Sequence, residues 1–223
     1  LAAMIDYINS TMSKHIITIE DPIEFVHQNK FCTIVHREVG IHSKSFPVAL
    51  RGAMRSDPDI VLIGEMRENE TIRLGLTCAT MGMLVFGTLH TNNARKTVDR
   101  IIDVFPAEQQ PQARTMLAGS LRGVVAQLLM KRCDKPGRVA VNEILFATPA
   151  VSAIIREGAT QKLADVITGG KGLGMQFMDD AIWQKLQQGL VSAEEAYMKA
   201  IDKARFKNFL PKGMETIANA GGA

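Results

Sequence analysis

Apolar residues in this chain fall into two recurring patterns, and their alternation predicts the architecture. Continuous apolar runs rich in β-branched residues mark strands buried on both faces: His15-Ile16-Ile17-Thr18-Ile19-Glu20, Asp59-Ile60-Val61-Leu62-Ile63-Gly64 and Met83-Leu84-Val85-Phe86-Gly87. Residues 32–39 alternate more loosely and read as a strand nearer a sheet edge. Helical spacing fills the intervals. Leu1, Met4, Ile5 and Ile8 recur at i, i+3, i+4 and i+7. Ser45 and Pro47 open a helix over residues 46–55, and Asn93 caps one over residues 94–104. Ile72, Leu76 and Ala79 line a helix after Arg67, with Glu68 and Glu70 in its first turn. A long helix is expected over residues 110–132, carrying Leu117, Leu121, Val124, Val125 and Leu128 on one face, followed by a strand over residues 138–146.

This order predicts an α/β fold with a mainly parallel sheet flanked by helices. Beyond Pro149 the strand pattern stops, and short helices are expected over residues 151–156, 161–166, 175–188 and 193–200. The expected division is a core over residues 1–148, a C-terminal helical appendage over 149–210 and a frayed tail over 211–223.

Composition narrows the function. An apolar content of 46% permits a full core. The 26 basic and 23 acidic residues nearly balance, and aromatics are only 5%, so neither charge nor base stacking points to nucleic acid. Cys32, Cys78 and Cys133 lie far apart and form no zinc-binding pair, which fits free thiols in a reducing cytoplasm. No apolar run reaches the ~18 residues that span a bilayer.

Three of the buried runs end in polar groups: Glu20-Asp21, Glu65 with Arg67, and His90-Thr91-Asn92-Asn93. Parallel neighbouring strands would open all three ends on one edge, where α/β sheets bind ligands. Carboxylates, an imidazole and a guanidinium there could position a metal, activate water and steady negative charge. Each residue also has an ordinary reading. Glu65 could be an exposed strand-end acid, Asp21 could start the turn before Pro22, and His90 could bond a loop carbonyl.

The residues in these segments resemble a known family, the type II/type IV secretion ATPases. Ile17-Thr18-Ile19-Glu20-Asp21-Pro22-Ile23-Glu24 is similar to its Asp box. Residues 57–67 resemble its Walker B segment, and Gly87-Thr88-Leu89-His90-Thr91 its His box. Residues 98–106, 138–149 and 169–176 match as well. Ala150-Val151-Ser152-Ala153-Ile154-Ile155-Arg156-Glu157 resembles a motif of the pilus-retraction (PilT-type) members. The resemblance implies a RecA-like fold, ATP and Mg²⁺ as ligands, a homohexameric ring and ATP hydrolysis that drives pilus retraction. It also implies a location at the cytoplasmic face of a bacterial inner membrane, reached through a pilus platform protein. By matching position, Glu65 would polarise the attacking water, and Glu20 would lie near the metal and γ-phosphate. His90 would sense that phosphate, with Asp21, Arg67 and Thr91 in the nucleotide neighbourhood. Ala150, Ile154, Ile155, Arg156 and Glu157 would form a partner-contacting or motor-specific motif, or else an ordinary amphipathic helix.

Some features depart from the family pattern. The helix that opens the chain has no capping residue before it, so the chain is expected to be cut from something longer. The resemblance places a Gly-Lys-Ser/Thr phosphate loop just upstream, and without it the 223-residue stretch is expected to be inactive by itself. Gly169-Gly170-Lys171-Gly172-Leu173-Gly174 lacks Ser or Thr after its Lys and reads as a turn between helices. Met83 stands where the family carries a histidine, and Glu68 where it carries an aspartate. Within the family, the absence of a four-cysteine cluster disfavours assembly and secretion members. The alternatives are an accessory retraction ATPase, a disfavoured secretion or assembly ATPase, and a non-catalytic ring subunit or interaction module.

Overall fold

The computed structural model describes residues 1–211, so the tail expected over 211–223 lies almost wholly outside the described residues. The chain packs into two compact units, Leu1–His90 with Arg100–Leu121, and Thr91–Asp99 with the residues from Arg122 onward. The boundary expected at residue 148 falls inside the second unit.

The first unit is built on a four-stranded parallel sheet of β1 (His15–Glu20), β2 (Thr33–Glu38), β3 (Ile60–Ile63) and β4 (Leu84–Gly87), in the order β2-β1-β3-β4. Ile16 pairs with Ile60 and Ile60 with Leu84, which sets the three central strands side by side, pointing the same way. Every residue of β3 is buried, as are Ile16 to Ile19 of β1. The continuous apolar runs follow from this burial, because both faces carry helices. On one face α1 (Ala2–Thr11) sets Ile5 and Ile8 against Ile16, Ile60 and Leu62. On the other, α2 (Phe46–Ala53) and α3 (Asn69–Thr80) bring Ala49, Leu50, Ala53 and Cys78 against Ile17, Ile19, Val61 and Ile63, with Met83 packed alongside. Ser45 caps α2 by accepting from the Val48 N–H, and Pro47 sits in its first turn.

The chain from residue 110 onward departs from expectation. The helix expected over residues 110–132 ends early: α5 spans Gln110–Ser120, and Leu121 leaves helical geometry at φ −57°, ψ 134°. Residues Gly123–Lys131 form β5, paired antiparallel with β6 (Arg138–Phe146), and the two make a separate ribbon outside the parallel sheet. Val124, Ala126 and Met130 turn inward while Val125, Gln127 and Leu129 face out, the period-2 pattern of a strand. Gly123 allows the close approach: a Cβ there would meet the Leu145 carbonyl oxygen at 2.9 Å. The inner face of the ribbon packs against α8 (Met178–Gln187), α9 (Ala193–Lys199) and α10 (Lys203–Lys207), through Met178, Ile182, Ala196 and Phe206.

Helix α4 (Ala94–Asp103) begins in the second unit, and Asn93 Oδ1 accepts from the Lys96 N–H at 2.8 Å. α6 (Pro149–Glu157) is capped by Thr148 and closed by Gly158 at φ 72°. α7 (Leu163–Gly169) is followed by a short 3₁₀ turn at Lys171–Leu173 and by Gly174 at φ 86°, so the glycine-rich run does link helices. Among the described residues no helix is long and apolar enough to cross a membrane.

Candidate active site

The carboxyl ends of β1, β3 and β4 meet at one edge of the first unit. The Gly64 N–H donates to the Ile19 carbonyl at 2.7 Å, and the Met66 N–H to the Thr88 carbonyl at 3.0 Å. The Thr88 hydroxyl donates to the Gly64 carbonyl. Gly64 lets the end of β3 lie close against the end of β1. A Cβ at that position would stand 3.2 Å from both Glu20 Cα and the Ile19 carbonyl oxygen, so only a bare backbone fits against β1 comfortably.

At this edge Glu65 is the centre. His90 Nε2 lies 2.7 Å from Glu65 Oε1, and Arg67 Nε donates to the same oxygen. The hydrogen bond from Arg67, its charge and the contact with His90 hold the Glu65 carboxyl below the usual carboxylate range. Glu65 in turn pushes the Arg67 guanidinium up, and the Asp21 carboxylate adds to that from nearby. The Glu65 side chain is 24% exposed, whereas those of Arg67 and His90 are 72% and 81% exposed. An ionised carboxylate thus stands beside an exposed guanidinium and an exposed imidazole.

Glu20 is more enclosed, with a 14% exposed side chain whose Oε1 lies 3.9 Å from His36 Nδ1. Asp21 is exposed beside it. Of the expected site residues, Glu20, Asp21, Glu65, Arg67 and His90 therefore share this edge. Thr91 belongs to the second unit, where its hydroxyl bonds that of Thr97 at 2.7 Å. The α6 motif also lies in that unit and divides by burial. Ile154 and Ile155 are core residues, while Ala150, Arg156 and Glu157 are exposed.

Two residues escaped the sequence reading. His36 lies opposite Thr18 in the parallel register. Glu143 is only 2% exposed and accepts from the Ala94 N–H at 2.7 Å and the Met178 N–H at 3.1 Å, the first residues of α4 and α8. Burial pushes its carboxyl up, against the opposing effect of those two hydrogen bonds. The signal available for His36 was the lone polar residue, Thr18, inside an apolar strand.

Metal chemistry can be judged from the donor set. Among the described residues no group of three or more His, Cys, Asp or Glu side chains could hold a metal ion.

Comparison with known proteins identifies the family. The family described as "Type II/IV secretion system protein" matches residues 1–199. The chain belongs to that family. A "Twitching motility protein" of Neisseria gonorrhoeae is 53% identical over 200 residues, covering 90% of this chain and 54% of that protein. The "Type IV pilus retractation ATPase PilT" of Pseudomonas aeruginosa is 52% identical over 90% of this chain and 58% of its own length. A crystal structure of the pilus retraction motor PilT with bound ADP superposes with a TM-score of 0.84 at 43% identity, covering 92% of this chain and 57% of that one. The fold of this secretion-family chain is thus the RecA-like α/β fold of that motor. The chain spans little more than half the length of the relatives it matches.

Proposed function

We propose that the protein carrying this chain hydrolyses ATP and uses the energy to retract type IV pili. The observation that carries the reading is the convergence of Arg67 and His90 on the ionised Glu65 carboxylate, beside Glu20 at the carboxyl edge of a parallel sheet. Phosphoryl transfer to water needs placement and charge stabilisation more than covalent help from the protein. Glu65 orients and polarises the attacking water through its carboxylate, which its depressed pKa keeps ionised. Arg67 is free to move its guanidinium from Glu65 to the charge that develops on the transferring phosphoryl group. His90 leaves Glu65 for the γ-phosphate and so reports whether ATP or product is bound. Glu20 and Asp21 would hold Mg²⁺, which, when bound, offsets the charge of the phosphates. The relatives named for twitching motility and pilus retraction support the mechanical output. In keeping with the family resemblance, we infer a homohexameric ring at the cytoplasmic face of the inner membrane. Its link to a pilus platform protein would run through exposed residues such as Ala150, Arg156 and Glu157.

The test is Glu65→Gln in the full-length protein. ATP affinity is expected to persist while turnover falls by ~10²-fold or more, as for loss of a general base, and twitching motility disappears. Undiminished hydrolysis by that variant would show that Glu65 is not the acid that acts on water.

A further inference from the structure

Between β1 and β2, residues 21–32 form neither helix nor strand, yet side chains from regular elements hold this loop closely. Asn9 of α1, fully buried, donates to the Gln28 carbonyl at 2.7 Å and accepts from the Lys30 and Cys32 N–H groups at 3.0 and 3.3 Å. Glu38 of β2 accepts from the Ile23 N–H at 3.1 Å. His36, on the same face of β2 as Glu38, accepts from the His27 N–H through Nε2 at 3.1 Å.

The second nitrogen of His36 faces the candidate site. Nδ1 lies 2.9 Å from Thr18 Oγ1 and 3.9 Å from Glu20 Oε1. The ring is 15% exposed and stacks on His27 with centroids 6.1 Å apart and planes 12° from parallel. A backbone N–H can only donate, so Nε2 must present its lone pair to His27. A neutral imidazole then carries its proton on Nδ1 and donates it to the Thr18 hydroxyl. Nε2 also lies 3.3 Å from the His27 carbonyl oxygen, a contact that becomes a hydrogen bond only in the other tautomer. The shorter contact to an obligate donor decides the assignment.

We propose that His36 is a positioning residue for nucleotide hydrolysis. Its single ring ties the loop backbone at His27 to Thr18 of β1 by hydrogen bonds and stands 3.9 Å from the Glu20 carboxylate, so that the conformation of the loop sets the wall against which that carboxylate rests. The proposal rests on the reading of Glu20 and Glu65 given above. It adds a residue that touches neither substrate nor metal.

Two substitutions and one spectrum test it in the full-length protein. His36→Leu keeps the bulk and removes both nitrogens. Its kcat is expected to fall about 10–100-fold, the usual effect of losing a partner of a site ligand, with KM for ATP moving less than about twofold. His36→Gln can accept from the His27 N–H with its amide oxygen and donate towards Thr18 with its NH₂, and is expected to restore most of the turnover. In histidine-selective ¹⁵N NMR of the wild type, His36 shows the Nδ1–H tautomer, a readout independent of activity and of whether the Leu variant folds. Wild-type kcat in His36→Leu, a Gln variant no better than Leu, or an Nε2–H tautomer overturns the assignment. Glu65→Gln assayed alongside separates the two ideas. If it leaves turnover intact, the functional reading has failed. If it abolishes turnover while His36→Leu does not, only the role of His36 falls.

Discussion

Glu65 and Glu143 are the same side chain in two compact units, and their surroundings act on them in opposite ways. Glu65 follows β3 at the rim of the parallel sheet, and its partners are the exposed ends of the Arg67 and His90 side chains. Glu143 sits in the middle of β6, almost fully buried, and its partners are two backbone N–H groups fixed at helix starts. Charge partners lower the pKa of the first, and desolvation raises that of the second. The difference separates a chemical group from a structural one. An acid whose partners are exposed side chains is available to a substrate, whereas one whose partners are helix backbones joins elements together.

The comparison is broken most severely by removing the buried acid. Glu143→Ala strands two buried N–H groups, at ~1–3 kcal/mol each, so the loss of folding stability is expected to be about 2–6 kcal/mol. Chemical denaturation of the full-length protein measures it. Glu65→Ala, measured the same way, is expected to leave the unfolding midpoint in place while abolishing turnover. Comparable loss of stability in both variants would erase the distinction.

A gentler change sharpens the same contrast. Glu143→Gln keeps one acceptor oxygen and turns an NH₂ towards the other backbone N–H, which costs about 1–3 kcal/mol. The variant also changes the pH dependence. Because the folded-state pKa of Glu143 is raised, the wild type binds more protons folded than unfolded between the ordinary carboxylate value and the raised one. Its stability therefore falls as pH rises through that window. The Gln variant should lose that slope, and denaturation midpoints measured across the window check it.

The same two regions show what could be read from the sequence. The parallel sheet was legible because β1 and β3 are covered on both faces, which leaves continuous β-branched runs bounded by turn residues. Its polar ends were legible for the same reason, since an acid or histidine after such a run has only the sheet rim to occupy. The ribbon was not legible. Leu117, Leu121, Val124 and Leu128 fit helical spacing, and the same stretch fits strand alternation once β6 is there to pair with it. Gly123, pressed against the backbone of β6, was the one local clue. His36 and Glu143 escaped because their meaning lies in partners distant along the chain. His36 needs the register that sets it opposite Thr18, and Glu143 needs helix starts 49 and 35 residues away.

The smallest expected effect falls on the exposed acid and concerns protons rather than folding. Arg67→Ala removes the hydrogen bond and charge that chiefly depress the Glu65 pKa, leaving the weaker contact with His90. The carboxylate should then protonate at a higher pH than in the wild type. Because hydrolysis needs the ionised form and kcat/KM reports the free enzyme, in which Arg67 contacts Glu65, the acid limb of the kcat/KM–pH profile should move upward, towards the usual glutamate range. Arg67→Lys restores a cation without the planar donor and should fall between the two. Lost phosphoryl stabilisation lowers the plateau in both variants, but a lower plateau does not move the limb. The position of the limb therefore reports on Glu65 alone. If Arg67→Ala lowers the plateau and leaves the limb where it was, then Arg67 does not set the charge state of Glu65, and the contrast with Glu143 rests on burial alone.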